Sequence, residues 1–397
     1  MPNSLLTSLV ASRFLARWLH ADPARITLLT DTARLSPSTA QFVEFLQKQT
    51  DAGISLPAAM RRLRNLTIAT LIERDLSGNA DLNEVVSVMS TFADFAIRTH
   101  LNALMQQEIV LHGVPTGEES GLPQQLIVLG MGKLGGAELN ASSDIDLIFI
   151  YPEEGDCVTT LPEQRSLSNH EFFTRLGKKL IGALSEVTKD GFTFRVDMDL
   201  RPNGASGPLV ANLNMLERYL IVQGRDWERY AWLKARPITG DAADITALEQ
   251  IVRPFIYRRY LDFGSIDALR ALHRQIRAEV TRQELRHPDR SENIKLGRGG
   301  IRAIEFLAQV FQLIRGGREP QLRDRSTRAT LAILAEKGLL SADAVAQLQT
   351  AYTFLRNLEH RLQYVDDAQT HTLPTKPEDR LHIAQMMGYS DVDALLA

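Results

Sequence analysis

The chain has 397 residues, 44% hydrophobic and 23% charged, which is enough apolar material for a large core in two or three folded units and excludes a disordered chain. Its formal net charge of -3, with acids and bases interleaved, excludes a chain-wide electrostatic grip on nucleic acid or on an anionic membrane. A single cysteine, Cys157, rules out an internal disulfide and a cysteine-based zinc site and suits a reducing compartment, so a cytoplasmic location is expected.

The first residues lack the basic start of a secretion signal, and Arg13 soon interrupts the apolar run. Leu6, Leu9, Val10, Phe14 and Trp18 fall at three- and four-residue steps and predict one apolar helical face. Helical periodicity continues over residues 1–112, with a helix start predicted at Ser36-Pro37-Ser38. The polar, glycine-containing stretch 113–121 reads as a linker or surface loop. No apolar run is long enough to span a bilayer.

The pattern then changes. Residues 126–129 and 147–151 are short continuous apolar runs, as in strands covered on both faces, and the alternating stretch 192–199 predicts a third strand. Between the second and third lies a helix predicted at 169–187, with Phe172, Phe173, Leu176, Leu180 and Leu184 on or near one face. Beyond residue 205 the sequence reads as helical to its end, through Leu355, Leu358 and Leu362. The expected class is α+β and mostly helical, with a small mixed sheet in a central domain at 113–255 and helical regions at 1–112 and 256–397. Because the last residues, Asp391-Val392-Asp393-Ala394-Leu395-Leu396-Ala397, still read as helix, a piece of a longer polypeptide is expected.

Asp144 and Asp146 stand two apart on the second strand, so the period of two turns both carboxylates to one side. Hard oxygen ligands on one face suit Mg2+, which can bridge phosphates in a phosphoryl displacement. Upstream, Gly130-Met131-Gly132-Lys133-Leu134-Gly135-Gly136 follows a strand and can bring backbone amides and Lys133 to a phosphate; a tight turn without a ligand is the plain alternative. The same glycines spell a dinucleotide fingerprint, but the next strand starts too soon for a parallel crossover, and Lys133 is followed by leucine rather than the hydroxyl residue of a Walker loop. A third carboxylate comes from Asp197 or Asp199, between which periodicity does not choose, and Arg201 either faces a phosphate or neutralises these acids.

Positive charge is available from the stretch 225–236, with Lys234 and Arg236, and from 293–302, with Lys295, Arg298 and Arg302; the first can equally be a solvated face, and the second is the more suggestive of a site. Gly299 and Gly300 precede a helical run, which predicts free amides at a helix N-terminus as an anion site. In the first stretch Trp227, Tyr230 and Trp232 read as core anchors as readily as ligand contacts. The nine histidines form no metal-ligand spacing, and His360 and His371 read as helix-surface or loop residues.

Taken together, Gly130 to Asn140, Ser142-Ser143-Asp144-Ile145-Asp146-Leu147-Ile148-Phe149, and Val196-Asp197 with Leu200-Arg201-Pro202 resemble the bifunctional glutamine synthetase adenylyltransferase/adenylyl-removing enzymes. Gln223-Gly224-Arg225-Asp226-Trp227-Glu228-Arg229-Tyr230, Lys234-Ala235-Arg236-Pro237, Asn293-Ile294-Lys295-Leu296-Gly297, Glu305-Phe306 and Gln369-Thr370-His371-Thr372-Leu373-Pro374 follow in family order. The likeness is to the amino-terminal, adenylyl-removing half; the carboxy-terminal, adenylyl-attaching half is the second choice, and an idle module that binds glutamine synthetase the third.

The resemblance implies a nucleotidyltransferase core like that of DNA polymerase beta, flanked by helical domains. It implies phosphorolysis of adenylyl-tyrosine on glutamine synthetase, with phosphate and ADP or ATP as small-molecule partners and a PII-type nitrogen regulatory protein as regulator. Asp144, Asp146 and Asp197 are the implied ligands of Mg2+ or Mn2+, and Gly132, Lys133, Gly135, Gly136, Ser143, Arg201, Lys234, Arg236, Lys295 and Arg302 the implied nucleotide and phosphate contacts. Two positions depart from the family pattern: Asp199 stands in place of a basic residue and Ala303 in place of an acid.

Overall fold

A computed structural model describes residues 8–257 and 292–396. Leu6, most of the start of the predicted carboxy-terminal region and Ala397 lie outside the described residues. Among the described residues, five helices of eight residues or more come first: α1 (Arg13–His20), α2 (Ala24–Thr32), α3 (Thr39–Asp51), α4 (Leu56–Leu76) and α5 (Leu82–His112). Three of the five starts carry a side-chain cap, Ser12 at α1, Ser38 at α3 and Asp81 at α5, and α2 and α4 carry none. Ser38 and Gln41 form a capping box at α3, and the Asp81 carboxylate accepts the Glu84 amide at α5.

The apolar face expected from Leu6, Leu9, Val10, Phe14 and Trp18 is met in part: Leu9, Phe14 and Trp18 pack half-buried against the main core, and Leu6 lies outside the described residues. Leu15 and Leu19 are buried while Val10 is 75% exposed. The reason is a break at Ser12, whose hydroxyl accepts the Leu15 amide and donates to the Tyr364 carbonyl; helix phase restarts there.

The stretch after α5 is not a free linker. β1 (Val114–Pro115) pairs with β4 (Cys157–Val158), and the Glu153 carboxylate accepts the amides of Glu119 and Ser120. The main sheet runs β5 (Val196–Asp197), β3 (Ile145–Tyr151), β2 (Ile127–Gly130), β7 (Arg236–Pro237), with β6 (Val210–Asn212) also on β3. β3 is antiparallel to β2 and parallel to β5 and β6. An antiparallel β2–β3 pair needs no crossover, so the glycine turn between them, whose single helical turn is α6 (Gly132–Gly135), is no dinucleotide fold.

Period two decides which face each β3 side chain meets. Ile145, Leu147, Phe149 and Tyr151 join the cluster built with the amino-terminal helices and α7 (Asn169–Ser185); Ile148 and Ile150 join a second cluster under α8 (Leu213–Val222), α9 (Asp226–Trp232) and α10 (Ala242–Ile256). The helical region and the sheet therefore share one apolar core across residue 112.

Two expectations for this region change. The predicted strand at 192–199 shrinks to Val196–Asp197, because the amides of Thr193 and Phe194 both donate to the Leu184 carbonyl at the end of α7 instead of joining a ladder. Past residue 205 the chain is not purely helical, since β6 and β7 complete the sheet.

The described carboxy-terminal part holds α11 (Ile301–Arg315), α12 (Thr327–Glu336), α13 (Ala342–Tyr364), α14 (Pro377–Met386) and α15 (Val392–Leu396). One face of α13 carries Leu358 and Leu362 into a local cluster, and another buries the polar stripe Arg356, Glu359, His360 and Gln363. After α13 the chain is clasped by the amino-terminal helices. Arg13 and Arg17 pair with Asp366, Arg64 forks on Asp367, and Asp75 holds Arg361 and Tyr364. Among the described residues no helix is long and apolar enough to cross a membrane.

Candidate active site

Asp144 and Asp146 continue the parity of Ile148 and Ile150, so they emerge where the second cluster ends, at a cavity of about 470 Å³. The parallel register of β3 and β5 sets Asp197 directly beside Asp146. Asp199 lies past the strand, exposed, and its amide donates to Asp197 Oδ1 at 2.7 Å. Burial, then repulsion from Asp144 and Asp197, pushes the Asp146 carboxyl up to about 6 against the pull of Lys295 and Lys133.

Among the described residues no three His, Cys, Asp or Glu side chains converge into a ready cation cage. The donor set nonetheless fits Mg2+ or Mn2+. These are hard carboxylate oxygens, crowded enough to repel one another, at the mouth of a polar cavity where water and phosphate can complete the shell.

The glycine turn touches this site through one residue. Gly132 has φ +52, and a Cβ there would lie 3.0 Å from Asp146 Oδ2, so only glycine lets the turn sit against the carboxylate. Gly135 and Gly136 do not build the expected phosphate cradle. Their amides are spent on the carbonyls of Met131 and Gly132, and added Cβ atoms would lie 1.7 Å from the Lys234 carbonyl oxygen and 3.0 Å from that of Arg325. They are glycines for close packing.

The cations divide into two groups. Lys133 and Lys234 line the cavity but are already neutralised: Lys133 Nζ lies 2.7 and 2.9 Å from the Glu359 oxygens, and Lys234 Nζ lies 2.8 Å from Glu138 Oε2 and 3.1 Å from Thr327 Oγ1. Burial pulls the Lys133 ammonium down to about 8 despite Glu359. For Lys234 burial also opposes the charge, but Glu138 and Glu305 outweigh it and keep the group above the usual lysine value. Lys295 and Arg302 also line the cavity and, among the described residues, carry no side-chain ion pair. Ser143 is buried in the same wall.

Arg236 and Arg201 are directed elsewhere. Arg236 forks on Asp94 at 2.7 and 2.9 Å and donates to the Leu134 carbonyl, and Arg201 donates to the Met198 carbonyl at 2.7 Å; neither lines the cavity, nor does Arg298. The helix N-terminus at α11 is also not the expected anion site. The amides of Ile301, Arg302 and Ala303 are taken by the carbonyls of Ile294, Lys295 and Gly300, because the preceding loop folds back over the helix start. Positive charge therefore reaches the cavity on side chains.

Several lining residues were not among those expected. Gln369 Nε2 donates to Asp144 Oδ1 at 2.7 Å, and His371 Nδ1 lies 2.8 Å from Glu359 Oε1. His371 is thus a loop residue that faces the cavity, while His360 is neither surface nor loop: it is fully buried, and burial pushes its imidazole down to about 3. Arg356, Glu359, His360 and Gln363 stand at steps of three, one and three, the spacing of a buried helical face, and a polar set at that spacing was the available signal for Glu359. Trp227, which the sequence left between core and ligand contact, is 41% exposed at the cavity, whereas Trp232 is core. Ala303 is exposed and outside the lining.

Comparison with known sequences gives this arrangement a context. The family model for glutamate-ammonia ligase adenylyltransferase matches residues 3–251, and that for GlnD PII-uridylyltransferase matches residues 270–397. Relatives named bifunctional glutamine synthetase adenylyltransferase/adenylyl-removing enzyme include one from Ralstonia nicotianae, 57% identical over 86% of this chain and 37% of its own length. Others come from Chromobacterium violaceum, 58% identical over 87% of this chain and 37% of the relative, and Aromatoleum aromaticum, 50% identical over 100% of this chain and 41% of the relative. The chain spans about two fifths of the length of these relatives and corresponds to their amino-terminal part. With a family model matched over more than half its residues, the chain belongs to the glutamate-ammonia ligase adenylyltransferase family.

Proposed function

We propose that the chain removes AMP from the adenylylated tyrosine of glutamine synthetase by phosphorolysis, on a nucleotidyltransferase core of the DNA polymerase beta type. The observation that carries this is the meeting at one cavity of Asp144 and Asp146 with Lys295 and Arg302, which carry no ion pair among the described residues, while Asp197 stands beside Asp146 in the register of β3 and β5. Acids that repel one another are costly unless a cation joins them, and free basic groups opposite them suit phosphate oxygens.

In this reaction an oxygen of inorganic phosphate attacks the adenylyl phosphorus, the bond to the tyrosine oxygen breaks, ADP leaves and the phenolate takes a proton. Asp144, Asp146 and Asp197 would hold Mg2+ or Mn2+, which supplies charge neutralisation on the phosphates when bound. Lys295 and Arg302 orient the phosphates, while Gly132 lets the turn approach without a side chain in the way. Lys133 and Lys234, each tied to a buried acid, hold the cavity walls in register and add field rather than direct contacts. The match of residues 270–397 to a PII-uridylyltransferase model supports control by a PII-type nitrogen regulatory protein.

The test is incubation of adenylylated glutamine synthetase with this protein, Mg2+ and phosphate, beside Asp144→Ala and Asp146→Ala variants. ADP release that needs phosphate and both acids is expected. AMP transfer from ATP onto unmodified glutamine synthetase, without ADP release from the adenylylated form, would replace this function with the attaching one.

A further inference from the structure

The charged lining accounts for the phosphate end of a nucleotide and leaves one part of the wall unexplained. Along α9, Trp227, Tyr230 and Ala231 fall at steps of three and one, so they share a face, and that face lines the cavity together with Leu200. Leu200 and Ala231 rest on the apolar cluster beneath the sheet, which fixes them as a floor. Trp227 is different. Of the three tryptophans, Trp232 is buried and Trp18 packs against the main core, but Trp227 keeps 41% of its surface exposed. A large flat indole held open beside a polar cavity is an unfilled stacking surface.

We infer that Trp227, with Leu200 and Ala231 beside it, is the platform for the adenine ring of the nucleotide. The inference rests on the proposed reaction and adds the subsite that holds its base. A purine offers a π face to the indole and an apolar edge to the leucine and alanine, while its phosphates reach Lys295 and Arg302 on the charged side of the same cavity. At about 470 Å³ the cavity has the size of small-molecule sites in general. Because stacking tolerates any π face, Trp227 supplies affinity for the base and little choice among purines.

The test is calorimetric titration of the whole chain with ADP, and separately with inorganic pyrophosphate, in the presence of Mg2+, for the native protein, Trp227→Ala and Trp227→Phe. Loss of the stacked ring should weaken ADP binding by roughly tenfold in Trp227→Ala. Trp227→Phe should stay close to the native value, and pyrophosphate, which has no base, should bind all three alike. The assignment is overturned if Trp227→Ala binds ADP as tightly as the native protein, or if its affinity for pyrophosphate drops by the same factor, which would mean a general disturbance of the cavity. No ADP binding by the native protein would overturn the deadenylylation proposal along with it.

Discussion

Replacing Asp146 by asparagine should stabilise the empty protein while removing its activity. The carboxyl is lifted from 3.8 to about 6 by burial and by the neighbouring Asp144 and Asp197. At 1.36 kcal/mol for each unit this is about 3 kcal/mol of penalty on the ionised form in the folded state. The sign follows from linkage. Below 3.8 both folded and unfolded chains hold the proton and no penalty exists; as pH rises toward 6 the unfolded chain has released it and the folded one has not, so stability falls; above about 6 the penalty is complete.

Asparagine is isosteric and never ionises, and among the described residues the Asp146 side chain makes no hydrogen bond that the change would break. Asp146→Asn should therefore gain on the native protein as pH rises, by about 2 kcal/mol between pH 4.5 and pH 8. Urea unfolding of both proteins in EDTA across that range measures the difference. Adding Mg2+ at pH 8 should raise the native midpoint and leave the variant's where it was. A stability difference that is flat with pH, or a variant weaker than the native protein at pH 8, refutes the electrostatic account of this carboxylate.

Two further outcomes follow from the pairing of the cations. Glu359→Gln leaves Lys133 and Arg356 buried without their shared acid and should cost about 3–5 kcal/mol in thermal or urea unfolding. Adding Lys133→Met should restore part of that loss, and a double variant as unstable as the sum of the two single ones would contradict the coupling. Arg236 and Arg302 should separate cleanly. Arg236→Ala, which breaks the fork on Asp94, should lower stability by about 2 kcal/mol and leave the KM for phosphate unchanged. Arg302→Ala should barely alter stability and raise that KM roughly tenfold; the reverse pattern in deadenylation kinetics would return Arg236 to the phosphate.

What could be read without the structure was local. The apolar runs at β2 and β3, and the shared parity of Asp144 and Asp146, follow from spacing along a few residues; the helix start at Ser36-Pro37-Ser38 was legible too, though Ser38 is the cap and Pro37 precedes it instead of opening the first turn. What escaped depends on partners far along the chain. β6 and β7 are three and two residues long, too short to leave a periodic trace, and exist only because β3 and β2 offer edges. Asp197 and Asp199 have the same parity, and only the register with Asp146 separates them. Lys133 and Arg236 looked alike as free cations in the sequence, yet their acids lie 226 and 142 residues away. The α11 start misled for the opposite reason: its glycines are indeed there, but they let the loop return and occupy the amides.

The clasp around Asp366 and Asp367 gives the molecule a lever. Two residues beyond it, Gln369 holds Asp144, so α1, the middle of α4 and the acid at the cavity mouth are joined by a short, tethered length of chain. A cation bound at Asp144 that drew it away from Gln369 would slacken the tether, and by reciprocity loosening Arg13, Arg17 or Arg64 from it would make Asp144 easier to recruit. Amide exchange on α1 and α4, compared with and without Mg2+, would read such a link from the site to the outer helices.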